Sequence, residues 1–454
     1  MLLVFAPRLP GLFHHAGRPP AAAALAPYAG NVAIDRELFR APRGTNDILP
    51  PESWRWRDVT RLAMDSFARA GYAPVETPAF EHTEVFERGV GEASEVVGKQ
   101  MYTFVDRAGR SLTLRPEGTA PVVRAVLERG LHRGRLPVKL AYASSMFRQE
   151  RPQKGRYRQF FQVGIESIGS DNPAVDAEVI EVGLRYLSDA GVPVRLLLNS
   201  IGHAEDSCRR GYIKVLEEFL VAHEDELAPE DRARVHTNPL RTFDSKETLT
   251  IEAMSKAPVI TDHLCDACRK HFDAVRELLT DLRLDYELEP RLVRGLDYYT
   301  RTAFEFVAAG LGSQDAVGGG GRYDGLSETL GGPPLPGIGF ALGVDRILLA
   351  AADKAGPGDG MTAVEAYVVA LGPEAARTAL GVVSRLRARG VGADLDLAGR
   401  GLKGQMKDAA RSGARWAVIL GDDELRTQRA TIKDLRSGEQ KTVPFAEIET
   451  AIAS

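Results

Sequence analysis

Between Trp54 and Ala70 apolar residues recur at helical spacing (Val59, Leu62, Ala63, Phe67), and Gly71 closes the pattern, so a helix with a left-handed C-terminal glycine is predicted. Tyr72 to Phe80 is extended and carries Pro74 and Pro78, which a strand tolerates at an edge or an interface. Short apolar runs at 101–105, 112–114, 138–146 and 160–168 are spaced for antiparallel strands joined by hairpins or loops. A strand at 196–199 is followed by a charged, mainly helical stretch, 204–284, before strands resume at 286–293, 301–307 and 337–342 and a helix at 345–352. A helical insertion in a sheet domain is the economical description. Beyond AGPGDGM (355–361), which has linker composition, strands at 366–370, 392–397 and 416–420 alternate with helices at 375–389 and 402–412. That alternation predicts a small α/β domain with a partly parallel sheet. The expected class is therefore α+β, divided into a tail (1–41), a split sheet domain (42–203 and 285–354), the insertion (204–284), a linker (355–362) and the α/β unit (363–454).

Composition narrows the class. Hydrophobic residues make up 44% and charged residues 26%, which excludes disordered and fibrous chains. The net charge of −4 means that a polyanion must be met by local basic patches. Three cysteines, Cys208, Cys265 and Cys268, cannot frame a disulfide fold and point to a reducing compartment, by default the cytoplasm. No apolar run is long enough for a membrane span. Residues 1–34 are Ala- and Pro-rich, lack acidic residues, and fit a disordered tail, a transit peptide or a start codon assigned too early; the charge order does not fit a secretory signal.

No GxxxxGK[ST] cradle is present, and Gly337-Ile-Gly-Phe-Ala-Leu-Gly343 has one residue too many for a dinucleotide turn. The densest basic cluster is Phe147 to Glu166, where Arg148, Arg151, Lys154, Arg156 and Arg158 lie between two strands. Such arginines can clamp triphosphate oxygens while Phe160 offers a ring to a purine; taken alone, the run is read as a solvated hairpin at about two to one. On the helix at 402–412, Arg400, Lys403, Lys407, Arg411 and Arg415 recur every three or four residues beside an apolar face of Leu402, Met406, Ala410 and Gly413. This is either a phosphate-binding stripe or an ordinary solvated face. His263, Cys265, Cys268 and His271 have zinc-like spacing but lack a second CxxC, so no metal site is expected there, and His203, His223 and His236 suggest no ligand set.

Several stretches together carry a resemblance: Gly71-Tyr72 with Pro78, LRPEGTA (114–120), Phe147-Arg148 to Glu166, LVRGLDYY (292–299), GGRYDGL (320–326) and GIGFALGVDR (337–346). They resemble, in order, the motifs of class II aminoacyl-tRNA synthetases, and within them the histidyl-tRNA synthetase family, from about Pro42 to the C-terminus. The resemblance implies an antiparallel catalytic core with a helical insertion and an anticodon-binding domain, assembled as a homodimer through Gly71 to Phe80. It implies a ligase that joins histidine to its tRNA through a histidyl-adenylate, with ATP and its companion Mg²⁺ as the nucleotide. Two anions meet in the first step, so fixed positive charge must supply much of the rate.

Carried over residue by residue, the resemblance implies catalytic roles for Arg148 and Arg294 at the α-phosphate and Arg346 at the γ-phosphate. Glu117, Gly118, Thr119 and Gln162 would hold the amino-acid end of histidine, and Glu166, Tyr298, Tyr299 and Tyr323 its side chain. Glu150 would sit beside adenine, with Phe160 stacked on it, and Glu150 or a nearby carboxylate would touch Mg²⁺. Gln153 and Arg158, with Arg151, Lys154 and Arg156, would meet the tRNA acceptor end, and Lys403, Lys407 and Arg411 the anticodon stem. A non-catalytic paralogue that regulates ATP phosphoribosyltransferase is the main alternative; such a chain typically lacks the C-terminal domain and the adenylation residues present here. No HRD or DFG kinase signature precedes the synthetase-like region, which argues against a tRNA-sensing kinase.

Overall fold

The computed structural model describes residues 39–91, 96–153, 155–203, 208–293, 296–309, 311, 315–351 and 364–453. They fall into two compact units, one on each side of position 356. The strands of the first unit are β1 (Ala73–Pro74), β2 (Phe80–His82), β3 (Tyr102–Val105), β4 (Ser111–Leu114), β5 (Val138–Phe147), β6 (Gln159–Ile168), β7 (Val194–Ser200), β8 (Glu287–Leu288), β9 (Thr300–Ala308), β10 (Ala316–Arg322) and β11 (Gly337–Gly343). Eight of them form one sheet in the order β1-β5-β6-β11-β10-β9-β7-β8, and β2-β4-β3 form a separate three-stranded sheet. Inner pairs are antiparallel; the two edge pairs, β1 with β5 and β7 with β8, are parallel.

Period-two alternation decides which face meets what. On β6, Val163 and Ile165 enter a core shared with Phe67 of the helix Glu52–Arg69, Ile180 and Tyr186 of the helix Pro173–Asp189, and Val275 and Leu279 of the helix Asp266–Asp281. Gln162, Gly164 and Glu166 therefore face the other way. The first helix ends as its pattern predicts: Gly71 has φ +83, and the Tyr72 N–H bonds the Phe67 carbonyl.

Some elements differ from the pattern. The strand expected at 286–293 is only two residues long because Pro290 cannot continue a ladder. Asn199 instead holds that segment, donating from Nδ2 to the carbonyls of Pro290 and Leu292. The helix Pro173–Asp189, capped by the Asn172 side chain, lies in a stretch that the apolar periodicity left unassigned. The glycine run AVGGGGR is itself a strand, β10, although it has no apolar alternation to mark it as one. A Cβ at Gly318 or Gly320 would strike the backbone of β11, so only glycine lets these strands close up.

In the second unit β12 (Ala366–Ala370), β13 (Ala393–Leu395), β14 (Trp416–Leu420), β15 (Arg429–Asp434) and β16 (Gln440–Pro444) form a sheet in the order β13-β12-β14-β15-β16, parallel across the first three strands and antiparallel beyond. Of the apolar face expected on the helix Leu402–Arg411, Met406 packs inward while Leu402 and Ala410 are exposed, and the helix buries Gln405 and Ala409. The reason is polar: Gln405 accepts the Ala370 N–H (2.8 Å) and donates to the Ala370 and Arg400 carbonyls, closing the end of β12. Of the described residues, no helix is long and apolar enough to cross a membrane.

Candidate active site

The open face of the large sheet carries a cavity of about 480 Å³ lined by Glu117, Gly118, Thr119, Arg148, Glu150, Phe160, Gln162, Tyr298, Tyr299, Tyr323 and Arg346. These residues come from segments far apart in the chain, and all were singled out above. Arg294, in the same reading, lies outside the described residues.

Glu166 does not line the cavity but lies directly behind it, beneath Thr119, Tyr142 and Tyr323, which do. It is fully buried and accepts Thr119 Oγ1 and Tyr323 Oη at 2.7 Å each, with Tyr142 Oη at 3.5 Å. Burial pushes its carboxyl up to about 8, against the pull of the Tyr323 and Thr119 hydroxyls. Glycines opposite these side chains make the room. Gly164 pairs with Tyr142 across β5 and β6, and Gly339 pairs with Glu166 across β6 and β11; a Cβ on either would overlap that partner. Tyr142 is a cavity residue that no sequence motif flagged; it stands in the middle of the apolar strand VKLAYASSMF.

Glu117 has a different employment. Its carboxylate accepts the Thr119 and Ala120 N–H groups at 2.6 and 3.0 Å, capping the helix Thr119–Glu128, with Tyr298 Oη at 3.4 Å. Burial raises its pKa while those two backbone bonds oppose the rise. Gln162 Oε1, by contrast, is buried with no hydrogen-bond partner among the described residues, a polar atom that a ligand in the cavity could satisfy.

On the cationic side, Arg148 Nε donates to the Pro116 carbonyl (2.9 Å) and its guanidinium lies 5.3 Å from the centre of the Phe160 ring. Arg346 Nε donates to the Ala316 carbonyl (2.5 Å). Burial lowers the pKa of both, with Glu150 opposing at Arg148 and Arg156 reinforcing at Arg346; neither loses its charge near neutral pH. Glu150 lies 3.3 Å from Arg156 and 3.8 Å from Arg148. Arg156 also lines the cavity, together with Glu305 and Asp315.

Gln153 and Arg158 are not in the cavity. Gln153 lines an adjoining hollow with Lys99, Arg151, Arg156 and Lys246. Arg158 is turned to the loop itself, donating to the carbonyls of Glu150 (3.2 Å) and Arg43 (3.3 Å). Lys154 lies outside the described residues. In the other unit, Lys403 and Lys407 are exposed and make no ion pair among the described residues; Arg400 is held by Asp396 and Asp408, and Arg411 lies 3.8 Å from Asp408.

The cysteine reading needs correction. His271 bonds Asp176 (3.1 Å), whose carboxylate also takes the buried Arg322, and His263 packs against Tyr212. The residue that joins the cysteines is His203, which the spacing argument set aside: the ligand atoms of His203, Cys208, Cys265 and Cys268 all lie within 4.8 Å of one another.

Fold and cavity define a class II aminoacyl-tRNA synthetase core joined to an anticodon-binding type of α/β domain. The family model Histidyl-tRNA synthetase matches residues 44–347, and the model Anticodon binding domain matches 365–454. The histidine–tRNA ligase of Corynebacterium jeikeium is 50% identical over 418 residues, 92% of this chain and 94% of that protein. That of Halothermothrix orenii is 47% identical over 90% of this chain and 97% of its own. Among solved structures, the apo S. aureus histidyl-tRNA synthetase superimposes with a TM-score of 0.77 at 36% identity, covering 92% of this chain and all of that one (100%). The chain belongs to the histidyl-tRNA synthetase family.

Proposed function

We propose that the chain joins L-histidine to tRNA(His) in two steps within this one cavity. The histidine carboxylate oxygen attacks the α-phosphorus of ATP, forming the histidyl-adenylate and releasing diphosphate. A terminal ribose hydroxyl of the tRNA then attacks the activated carbonyl and AMP departs. The observation that carries this reading is the convergence of the buried Glu117 carboxylate, the Gln162 oxygen without a partner among the described residues and two backbone-anchored arginines on a single cavity.

Glu166, set by Thr119 and Tyr323, orients the imidazole, with Tyr298 and Tyr299 as walls; Gln162, Glu117, Gly118 and Thr119 serve the amino-acid end. A buried acceptor left without the ring N–H penalises amino acids of similar size. Arg148 and Arg294 neutralise the α-phosphate and Arg346 the γ-phosphate, with Phe160 and Glu150 on the adenine side. Mg²⁺ bound to the phosphates would be shared with Glu150 or Glu305, carboxylates that line the cavity, and would add charge neutralisation there. The hollow beside the cavity suits the acceptor end, with Gln153 at a base edge and Arg158 shaping the loop, and Lys403, Lys407 and Arg411 suit the anticodon stem. Residues 42–203 and 285–354 form the catalytic domain, 204–284 its insertion and 363–454 the anticodon-binding domain, in a cytoplasmic homodimer joined through Gly71 to Phe80.

Histidine-dependent ATP–pyrophosphate exchange without tRNA tests the first step. Exchange with histidine and with none of the other amino acids is expected. A folded chain giving none would favour the regulatory paralogue.

A further inference from the structure

Three cysteines and one histidine that play no part in the ligase chemistry come together at the base of the insertion. His203 follows the end of β7, Cys208 stands at the N-terminus of the helix Arg209–Ala222, and Cys265 and Cys268 lie at the start of the helix Asp266–Asp281. In sequence, Cys208 and Cys265 are far apart, and only the fold joins them. His203 Nδ1 lies 3.1 Å from Cys268 Sγ and 3.7 Å from Cys265 Sγ, and all four ligand atoms fit within 4.8 Å.

We propose that His203, Cys208, Cys265 and Cys268 form a structural Cys₃His site for a divalent zinc ion. Four N and S ligands around Zn²⁺, at its usual bond lengths of about 2.0–2.3 Å, stand about 3.5–3.8 Å apart, and the observed cluster closes to that spacing with small side-chain rotations. The ligand count and type match closed structural zinc sites, and soft thiolates with imidazole disfavour magnesium or calcium. The surroundings are built for sulfur. Cys265 caps its helix, accepting the Cys268 N–H at 3.4 Å, which favours the thiolate. Gly202 has φ +61 and packs so closely on Cys208 that a Cβ would overlap the sulfur. Cys208 and Cys268 are buried in the hydrophobic cluster that also holds Tyr299 and Ala303.

The position gives the ion a task. Arg301 N–H bonds the Gly202 carbonyl and Ile201 N–H the Arg301 carbonyl, both at 2.8 Å, so the ligand His203 hangs directly on the end of the main sheet. Arg209, next to Cys208, donates to the Tyr299 carbonyl at 2.5 Å. The ion would therefore clip the insertion to the sheet behind the tyrosine wall of the cavity. It stands on geometry alone and does not depend on the ligase reading.

The test uses the full chain, without a histidine tag, purified free of chelator, dialysed against zinc chloride and freed of loose metal by gel filtration. Elemental analysis should find about one zinc ion per chain. Cys265→Ser keeps the helix cap but removes a soft ligand, and should lose most of the metal; His203→Ala should do the same, while His263→Ala keeps it. Cobalt in place of zinc should show thiolate charge-transfer absorption, and chelator should lower the melting temperature of the wild type but not of Cys265→Ser. Folded wild type without zinc after dialysis overturns the proposal, as does full zinc content in both ligand variants.

Discussion

Two basic regions of this chain look alike in sequence and differ in what their charges already touch. In the loop after β5, Arg148 is anchored on the Pro116 carbonyl and Arg158 on those of Glu150 and Arg43. On the helix Leu402–Arg411, Lys403 and Lys407 are exposed and have no ion-pair partner among the described residues. The first arrangement has its orientation settled before any ligand arrives, which is what stabilising a short-lived phosphoryl charge demands. The second keeps its charges mobile and hydrated, which suits attraction to a phosphate backbone and little else. On the proposed assignment, the anchoring of Arg148, more than the sign of its charge, separates it from the two lysines.

The sharpest way to break this contrast is at Arg148. Arg148→Ala should slow histidine-dependent pyrophosphate exchange by about 10²–10³-fold, the usual cost of a lost donor at a developing charge, with a much smaller change in histidine affinity. Arg148→Lys should recover little, because an ammonium cannot both bond Pro116 and present a fork to phosphate. A lysine variant near wild-type turnover would show that the anchor is irrelevant.

A smaller effect is expected at Glu166, a buried carboxyl fixed by the Thr119 and Tyr323 hydroxyls much as Arg148 is fixed by a carbonyl. Glu166→Gln should reduce kcat/KM for histidine about ten- to a hundredfold, as a buried hydrogen-bond network left half satisfied. The pH dependence has a definite sign. The carboxyl rises from an ordinary 4.5 to about 8 in the folded protein, so between those values the native state binds more protons than the unfolded one. Its contribution is therefore fully present below about 4.5, declines as pH rises, and is flat above about 8. Urea unfolding of the histidine-free protein should show this decline between pH 6 and 8 in the wild type, and a shallower one in Glu166→Gln. Parallel profiles would mean that Glu166 is ionised throughout.

How far such contrasts can be read before folding depends on where the partners lie. The motifs around Arg148, Tyr298 and Arg346 are contiguous and rich in unusual residues, so their convergence on one cavity was legible. Tyr142 was not, because a tyrosine in an apolar strand carries no local mark, and its role depends on Gly164 in the next strand. The burial of Gln405 carried no mark for the same reason: it is set by the backbone groups of Ala370. His203 and Cys208 stand far from Cys265 and Cys268 in the chain, and no spacing rule connects them. Strand β10 was obscured because its glycines erase the alternation that marks a strand, while the tight approach of β11 is what requires them.

The smallest effect sharpens the docking half of the comparison. Replacing Lys403 and Lys407 together by alanine should weaken tRNA binding several-fold at low salt and make the salt dependence shallower by about 1.4–1.8 in log–log slope, since each phosphate contact contributes about 0.7–0.9. Pyrophosphate exchange without tRNA should be unchanged. Arg400→Ala is the informative partner, because Asp396 and Asp408 already hold that guanidinium. If free charge is what docks RNA, Arg400→Ala leaves the slope nearly intact; if the stripe acts as a unit, it lowers the slope as much as either lysine does. Filter binding across a salt series separates these outcomes, and a slope unchanged in the double lysine variant would assign the helix to the solvent rather than to the tRNA.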